Sequence, residues 1–174
     1  LTTFSKLIRT LFNNADKKEI SLYDEIETCK FYLQLEAMRF DDKFSYSVKV
    51  DENIDLKSVQ VPALIIQPFI ENAIWHGLMH KKDGKQAKVE LILSKKDESL
   101  LCVIEDNGIG REKAAALRAQ KTGNHKRSMG MQITKDRIEM INKLYSTNTT
   151  MNIVDLHDEE GNATGTRVEL VIPV

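Results

Sequence analysis

Gln67-Pro68-Phe69-Ile70-Glu71-Asn72-Ala73-Ile74-Trp75-His76-Gly77 sets three polar side chains, Glu71, Asn72 and His76, in a run that is otherwise apolar. The run falls within an apolar helix expected to open at Pro62 and reach about His80. At about 100° per residue, Asn72 and His76 share one helical face and Glu71 lies one step round from them. An Asn side-chain oxygen is a hard ligand suited to Mg²⁺. A carboxylate beside it can orient or deprotonate a nucleophile. Taken alone, the stretch also reads as a helix whose polar residues face solvent or cap a neighbour.

Two strands follow, about 87–94 and 99–105, joined by the turn Lys95-Lys96-Asp97-Glu98. Directly after them stands Asp106-Asn107-Gly108-Ile109-Gly110. A carboxylate at a strand end can accept a hydrogen bond from an exocyclic amine, and two glycines leave room for a flat ligand. The third glycine and the βαβ setting of a dinucleotide fingerprint are missing. The alternating acids of a Ca²⁺ loop are missing too. Further on, Ser128-Met129-Gly130-Met131 ends a polar loop, residues 121–128, and opens a helix. A helix start with a small residue is a ready phosphate site, and Lys121, Lys126 and Arg127 precede it. Gly165-Thr166 leads into the last strand. Each of these, alone, is also an ordinary turn or a solvated loop.

The remaining elements complete a two-layer plan. Phe4, Leu7, Ile8 and Leu11 predict a short opening helix. Ser21 is placed to cap a second helix with the stripe Leu22, Ile26, Cys29 and Leu33, its start favoured by Asp24 and Glu25. Phe44, Tyr46, Val48 and Val50 alternate as a half-buried strand. Helices are expected over 112–120 and 129–145, and strands near 150–156 and 166–173 around the turn Glu159-Glu160-Gly161-Asn162. Helices on one face of a mostly antiparallel sheet make an α+β two-layer sandwich.

Composition narrows the function. A chain of 174 residues is sized for one domain with at most a helical appendage. Its 25 basic and 26 acidic residues leave a net charge of -1, which gives no global argument for nucleic acid or an anionic membrane surface. No apolar run approaches the ~20 residues of a spanning helix, and no signal-peptide pattern is present. Cys29 and Cys102, far apart in apolar surroundings, form neither a disulfide framework nor a cysteine zinc site, and fit a reducing compartment. The absence of an initial methionine leads us to expect an excised fragment.

The order of these segments carries more than any one of them. Glu-Asn on a helix, Asp-x-Gly-x-Gly after a strand, a polar loop, Gly at a helix start and Gly-Thr before a strand resembles the Bergerat ATP-binding fold over residues 45–174. This is the fold of gyrase, Hsp90, histidine kinases and MutL (the GHKL group). The version in residues 68–77 looks closest to the LytS/YehU-type sensor histidine kinases. In those, a Tyr-x-x-x-Glu-x-x-Arg-Phe pattern precedes the ATPase domain, and Tyr32, Glu36, Arg39 and Phe40 match it.

The resemblance implies a catalytic domain that uses Mg²⁺ and ATP to phosphorylate an upstream histidine for relay to a response regulator. It implies Asn72 as the Mg²⁺ ligand and Glu71 as general base for, or orienter of, the attacking histidine. Asp106 would bind the adenine amino group, Gly108 and Gly110 shape the pocket, and Thr166 support the base. Gly130 would let its helix start approach the phosphates, with Met131, Lys126, Arg127 and His76 nearby. Many such kinases carry a phosphate-contacting lysine three residues after the asparagine. Trp75 stands there, leaving His76, His80, Lys81 or a loop cation for that role. The second glycine box begins with Ser128 instead of glycine, and a separate phenylalanine box is not visible.

The four histidines, His76, His80, His125 and His157, all lack the Pro-His-Phe setting of an acceptor. The division implied is therefore 1–43, the end of a dimerisation region and connector helix, and 44–174, the catalytic domain. A homodimer is implied for the full-length protein, with membrane attachment only through missing segments and the domain itself on the cytoplasmic side. The competing readings are a nucleotide-gated interaction module with little phosphotransfer, motivated by Trp75 and Ser128, a DNA-acting ATPase, and an anti-sigma serine kinase.

Overall fold

The computed structural model describes residues 5, 17–41, 43–81, 86–122 and 129–174, without the side chains of 118–122, 129–134, 137 and 145. The opening helix expected over 4–11 lies outside the described residues except for Ser5, which is helical. Lys126 and Arg127 lie outside them as well.

The elements run β1 (Glu19–Ser21), α1 (Leu22–Arg39), β2 (Phe44–Val50), β3 (Gln60–Pro62), α2 (Gln67–Asn72), a π turn (Ala73–Gly77), a 3₁₀ turn (Leu78–His80), β4 (Ala87–Lys96), β5 (Ser99–Asp106), α3 (Arg111–Thr122), α4 (Met129–Tyr145), β6 (Thr150–His157) and β7 (Ala163–Pro173). Five strands form one sheet in the order β2-β4-β5-β7-β6. β2 runs parallel to β4, and the other three pairings are antiparallel. The α+β two-layer architecture is the one expected.

Ser21 caps α1 by accepting the amide of Asp24 at 3.1 Å. The stripe Leu22, Ile26, Cys29 and Leu33 is buried in one cluster with the inward-facing residues of β4 and β5, among them Val89, Leu91, Leu93, Leu100, Cys102 and Ile104. Each such buried aliphatic side chain contributes about 1.5–3 kcal/mol of transfer free energy.

One expectation needs correction. Pro62 does not open a helix; it ends β3, which pairs with β1 as a separate two-stranded sheet. The helix begins five residues later, at Gln67. Buried Glu25 on α1 explains the displacement. Its carboxylate accepts the amides of Leu64 at 2.9 Å and Ile66 at 2.8 Å, and Leu64 is held at φ 58°. Those two amides are tied to a side chain from another element, so the segment 63–66 is fixed as a bend. Apolar periodicity does not reveal such a bond.

The helix is also not uniform. After Asn72 it widens into the π turn, and the carbonyl of Gly77 accepts the amide of Ile109 at 3.2 Å. Widened turns of this kind are rare and cluster at functional sites.

Candidate functional site

α2 with its π turn, α3 and the ends of β5 and β7 enclose a cleft. Phe69, Asn72, Ala73, His76 and Gly77 form one wall, and Gly110, Arg111 and Ala114 the facing one. Ile104, Asp106, Thr166 and Val168 form the floor on the sheet. The cleft has roughly 590 Å³ of empty space, part of it open solvent. The spacing of 69, 72, 73, 76 and 77 is that of one continuous helical face, so the wall survives the widened turn.

Asp106 is the polar group at the bottom. It is 5% exposed and ends β5. Its Oδ1 accepts the amide of Gly108 at 2.8 Å. Burial pushes its carboxyl up from 3.8 to about 7, and the backbone amides of Gly108 and Thr166 oppose that rise. A carboxylate in this setting is costly to ionise without a donor, which is the property of a ligand-binding acid.

Glycines make the close packing around Asp106 possible. A Cβ at Gly77 would stand 2.5 Å from Asp106 Oδ1, and one at Gly108 would stand 2.3 Å from the backbone carbon of Gly77. At Gly165 a Cβ would lie 1.9 Å from the Asp106 carbonyl oxygen. Gly110 adopts φ +78°, a conformation that favours glycine.

The structure thus brings together Asn72, His76, Asp106, Gly110 and Thr166 in one cleft, with Gly108 bonded to the acid beneath it. Glu71 does not line the cleft. It lies on the next face of α2, and its Oε1 accepts the Gln67 side-chain amide at 2.9 Å. Gly130 and Met131 stand in the first turn of α4. Arg111 is a site residue that the motif reading did not name, while Gly77 and Gly165 stood inside quoted segments without a role of their own. Gly77 closes the quoted stretch and Arg111 follows the glycine box, so adjacency to a motif was the available signal. Arg111 donates from Nε to Asp155 Oδ1 at 2.6 Å and from Nη2 to the other oxygen. This two-pronged pair fixes one side chain of the cleft wall to β6.

Among the described residues no group of three His, Cys, Asp or Glu could hold a metal ion. A Mg²⁺ ion that arrives on a polyphosphate needs little from the protein beyond a hard oxygen, which the Asn72 side chain can offer from the cleft wall. The Asn72 side-chain oxygen fits an ion of that kind.

The fold is that of histidine kinase catalytic domains. The histidine kinase domain of a blue-light activated kinase from Erythrobacter litoralis superimposes with TM-score 0.59 at 17% identity, over 99% of this chain and 73% of that one. The catalytic domain of histidine kinase ThkA superimposes with TM-score 0.57 at 12% identity, over 89% and 93%. A complex of ThkA with the response regulator protein TrrA matches with TM-score 0.53 at 11% identity, over 99% and 47%.

Sequence relatives are LytS-type sensor kinases. Sensor protein LytS of Staphylococcus haemolyticus is 31% identical over 110 residues, 63% of this chain and 18% of that protein. Sensor histidine kinase BtsS of Escherichia coli K12 is 34% identical over 88 residues, 51% and 15% respectively. The chain spans less than a fifth of the length of these relatives. A histidine kinase family model matches residues 1–44, the part that holds Tyr32, Glu36, Arg39 and Phe40.

Proposed function

We propose that this chain is the ATP-binding catalytic part of a two-component sensor histidine kinase. The observation that carries the reading is Asp106, a buried acid at a strand end under glycines, on the floor of a cleft whose wall presents Asn72. In this reading Asp106 accepts the exocyclic amine of adenine, and the apolar side chains Ile104, Val168 and Phe69 cover the base. Thr166 supports it. The start of α4, at Gly130 and Met131, would face the phosphates, and Lys126 and Arg127, which lie outside the described residues, belong to the same proposal.

Asn72 would hold Mg²⁺, which supplies charge neutralisation on the phosphates when bound. Glu71, oriented by Gln67, takes the proton from the acceptor imidazole or fixes its ring. The new bond is imidazole nitrogen to γ-phosphorus, and the bond broken is from that phosphorus to the β,γ-bridging oxygen, releasing ADP. Such a transfer is governed by positioning and electrostatics more than by covalent chemistry on the protein.

The division into 1–43 and 44–174 belongs to the same proposal, although α1 packs into the core of the second unit. So do a response regulator as the phosphate acceptor, a homodimer in the full protein, and a cytoplasmic position under a membrane-attached sensor. No described helix is long and apolar enough to cross a membrane.

Titration with ATP in the presence of Mg²⁺ tests the reading. The chain should bind, and Asp106→Ala or Asn72→Ala should lose measurable binding. Unchanged affinity in either variant removes this placement of the site.

A further inference from the structure

α2 and its π turn present two different faces. Phe69, Asn72, Ala73, His76 and Gly77 line the cleft. Gln67, Glu71 and Trp75, spaced four apart, stand on roughly the opposite side at about 100° per residue. That side meets α1, which among the described residues contributes nothing to the cleft lining. Upstream, Glu25 of α1 holds the amides of Leu64 and Ile66. Midway, burial raises Tyr32 to about 12 and Cys29 well above its ordinary value, and the nearby charge of Glu71 adds to both. Downstream, three residues close on Trp75. Its indole donates to Tyr32 Oη at 3.1 Å. The Phe40 ring meets it edge-on, with centroids 5.5 Å apart. The Arg39 guanidinium carbon lies 4.9 Å from its ring centroid.

We propose that Trp75 is a positioning residue: clamped from behind by Tyr32, Arg39 and Phe40, it sets the π turn, and so places Asn72 and His76 on the cleft wall. The hold of α1 on the indole thereby tunes nucleotide affinity from outside the cleft. The inference rests on the cleft being a nucleotide site. Three observations carry it. First, Trp75 is the middle residue of the turn Ala73–Gly77, with Asn72 directly before that turn and His76 within it. A side chain fixed by a hydrogen bond and two ring contacts fixes the backbone it stands on.

Second, the turn does not set itself. The Leu78 amide that closes it is shared between the carbonyls of Ala73, five residues back, and Ile74, four residues back. The turn thus stands between π and α register, and what holds its side chains decides its setting. Third, the far end of the turn is already fixed. The Gly77 carbonyl accepts the Ile109 amide, and Gly77 abuts Asp106. With Gly77 held against the sheet, the adjustable part is the stretch from Asn72 to His76, and Trp75 is its handle. A ligand that needs one setting binds in proportion to the fraction of molecules that hold it.

Trp75 is the chain's one tryptophan, so its emission reports the clamp directly. Mg²⁺-ATP titrated into the full chain should change that emission, although the indole lies on the far side of the helix from the cleft. Tyr32→Phe, which deletes one oxygen, should weaken Mg²⁺-ATP about three- to tenfold in calorimetry, the range that one hydrogen bond spans. Trp75→Phe keeps a ring for Phe40 and Arg39 but loses the donor, and should weaken binding at least as much. The double variant should lose no more than Trp75→Phe alone, because both changes remove the same bond. All are measured where circular dichroism shows each variant fully folded. Emission unmoved by saturating Mg²⁺-ATP, unchanged affinity in Tyr32→Phe, or additive losses in the double variant would overturn the inference. Failure of wild type to bind Mg²⁺-ATP in calorimetry would instead remove the underlying reading of the cleft, and this inference with it.

Discussion

Gly77 and Asp106 are packed so closely that a methyl group on the glycine would stand 2.5 Å from Oδ1 of the acid. One wall of the cleft and the acid on its floor are therefore set by a single contact. Both partners are confined: Gly77 by its bond to Ile109 and its contact with Gly108, Asp106 by the amides of Gly108 and Thr166.

Gly77→Ala should consequently damage both fold and site. The added carbon would have to displace the Asp106 carboxylate, which the amides of Gly108 and Thr166 hold in place, so overpacking should cost about 1–3 kcal/mol. Chemical denaturation should report a lower midpoint with an unchanged slope. Residual folded protein should bind nucleotide at least tenfold more weakly.

The acid makes a pH-dependent prediction. With its folded value raised from 3.8 to about 7, Asp106 favours the folded ligand-free state at low pH, and that contribution is lost as pH rises from about 4 through 7. Asp106→Asn should therefore gain stability relative to wild type between pH 5 and pH 8. Nucleotide binding runs the opposite way, because an amine donor needs the ionised acid. Wild-type affinity should rise from pH 6 to pH 8, and this slope should vanish in Asp106→Asn. Calorimetric titrations at several pH values check the sign.

Glu25 should matter to stability far more than its distance from the cleft suggests. Glu25→Ala removes the carboxylate that accepts the Leu64 and Ile66 amides, and leaving the buried Ile66 amide unsatisfied costs by itself about 1–3 kcal/mol. Urea unfolding should show a loss of at least ~2 kcal/mol, and the bend before α2 should exchange its amide hydrogens faster.

What was legible in the sequence follows from where the signals are local. The stripe of α1, its Ser21 cap and the alternation of β4 and β5 are set by near neighbours, and the structure places them within a residue or two of expectation. Asn72, His76, Asp106, Gly110 and Thr166 were legible through the order in which their segments follow one another along the chain, since each segment alone also reads as an ordinary turn or a polar helix face. The bend at 63–66 was not, because Glu25 makes it from about forty residues away. Gly165 looked like a turn residue. Its requirement comes from the Asp106 carbonyl on a neighbouring strand, and that contact exists only after β5 and β7 pair. The convergence of Tyr32, Arg39 and Phe40 on Trp75 likewise depends on how α1 lies against α2.

The Arg111–Asp155 pair should contribute little to global stability, since its side chains are 40% and 31% exposed. A double-mutant cycle should give about 1 kcal/mol or less, decreasing with salt. The Arg111 guanidinium holds the Asp155 carboxyl below its ordinary value, so this contribution is present above about pH 4 and fades as pH falls further. Asp155→Asn should loosen one cleft wall and weaken nucleotide binding only a few-fold.

A structure of the full chain with a non-hydrolysable ATP analogue and Mg²⁺ tests the central claim most directly. The account predicts the adenine amino nitrogen within about 3.2 Å of an Asp106 carboxylate oxygen, with the phosphate tail running toward Asn72. A base bound elsewhere, or a cleft that stays empty at saturating analogue, would contradict it.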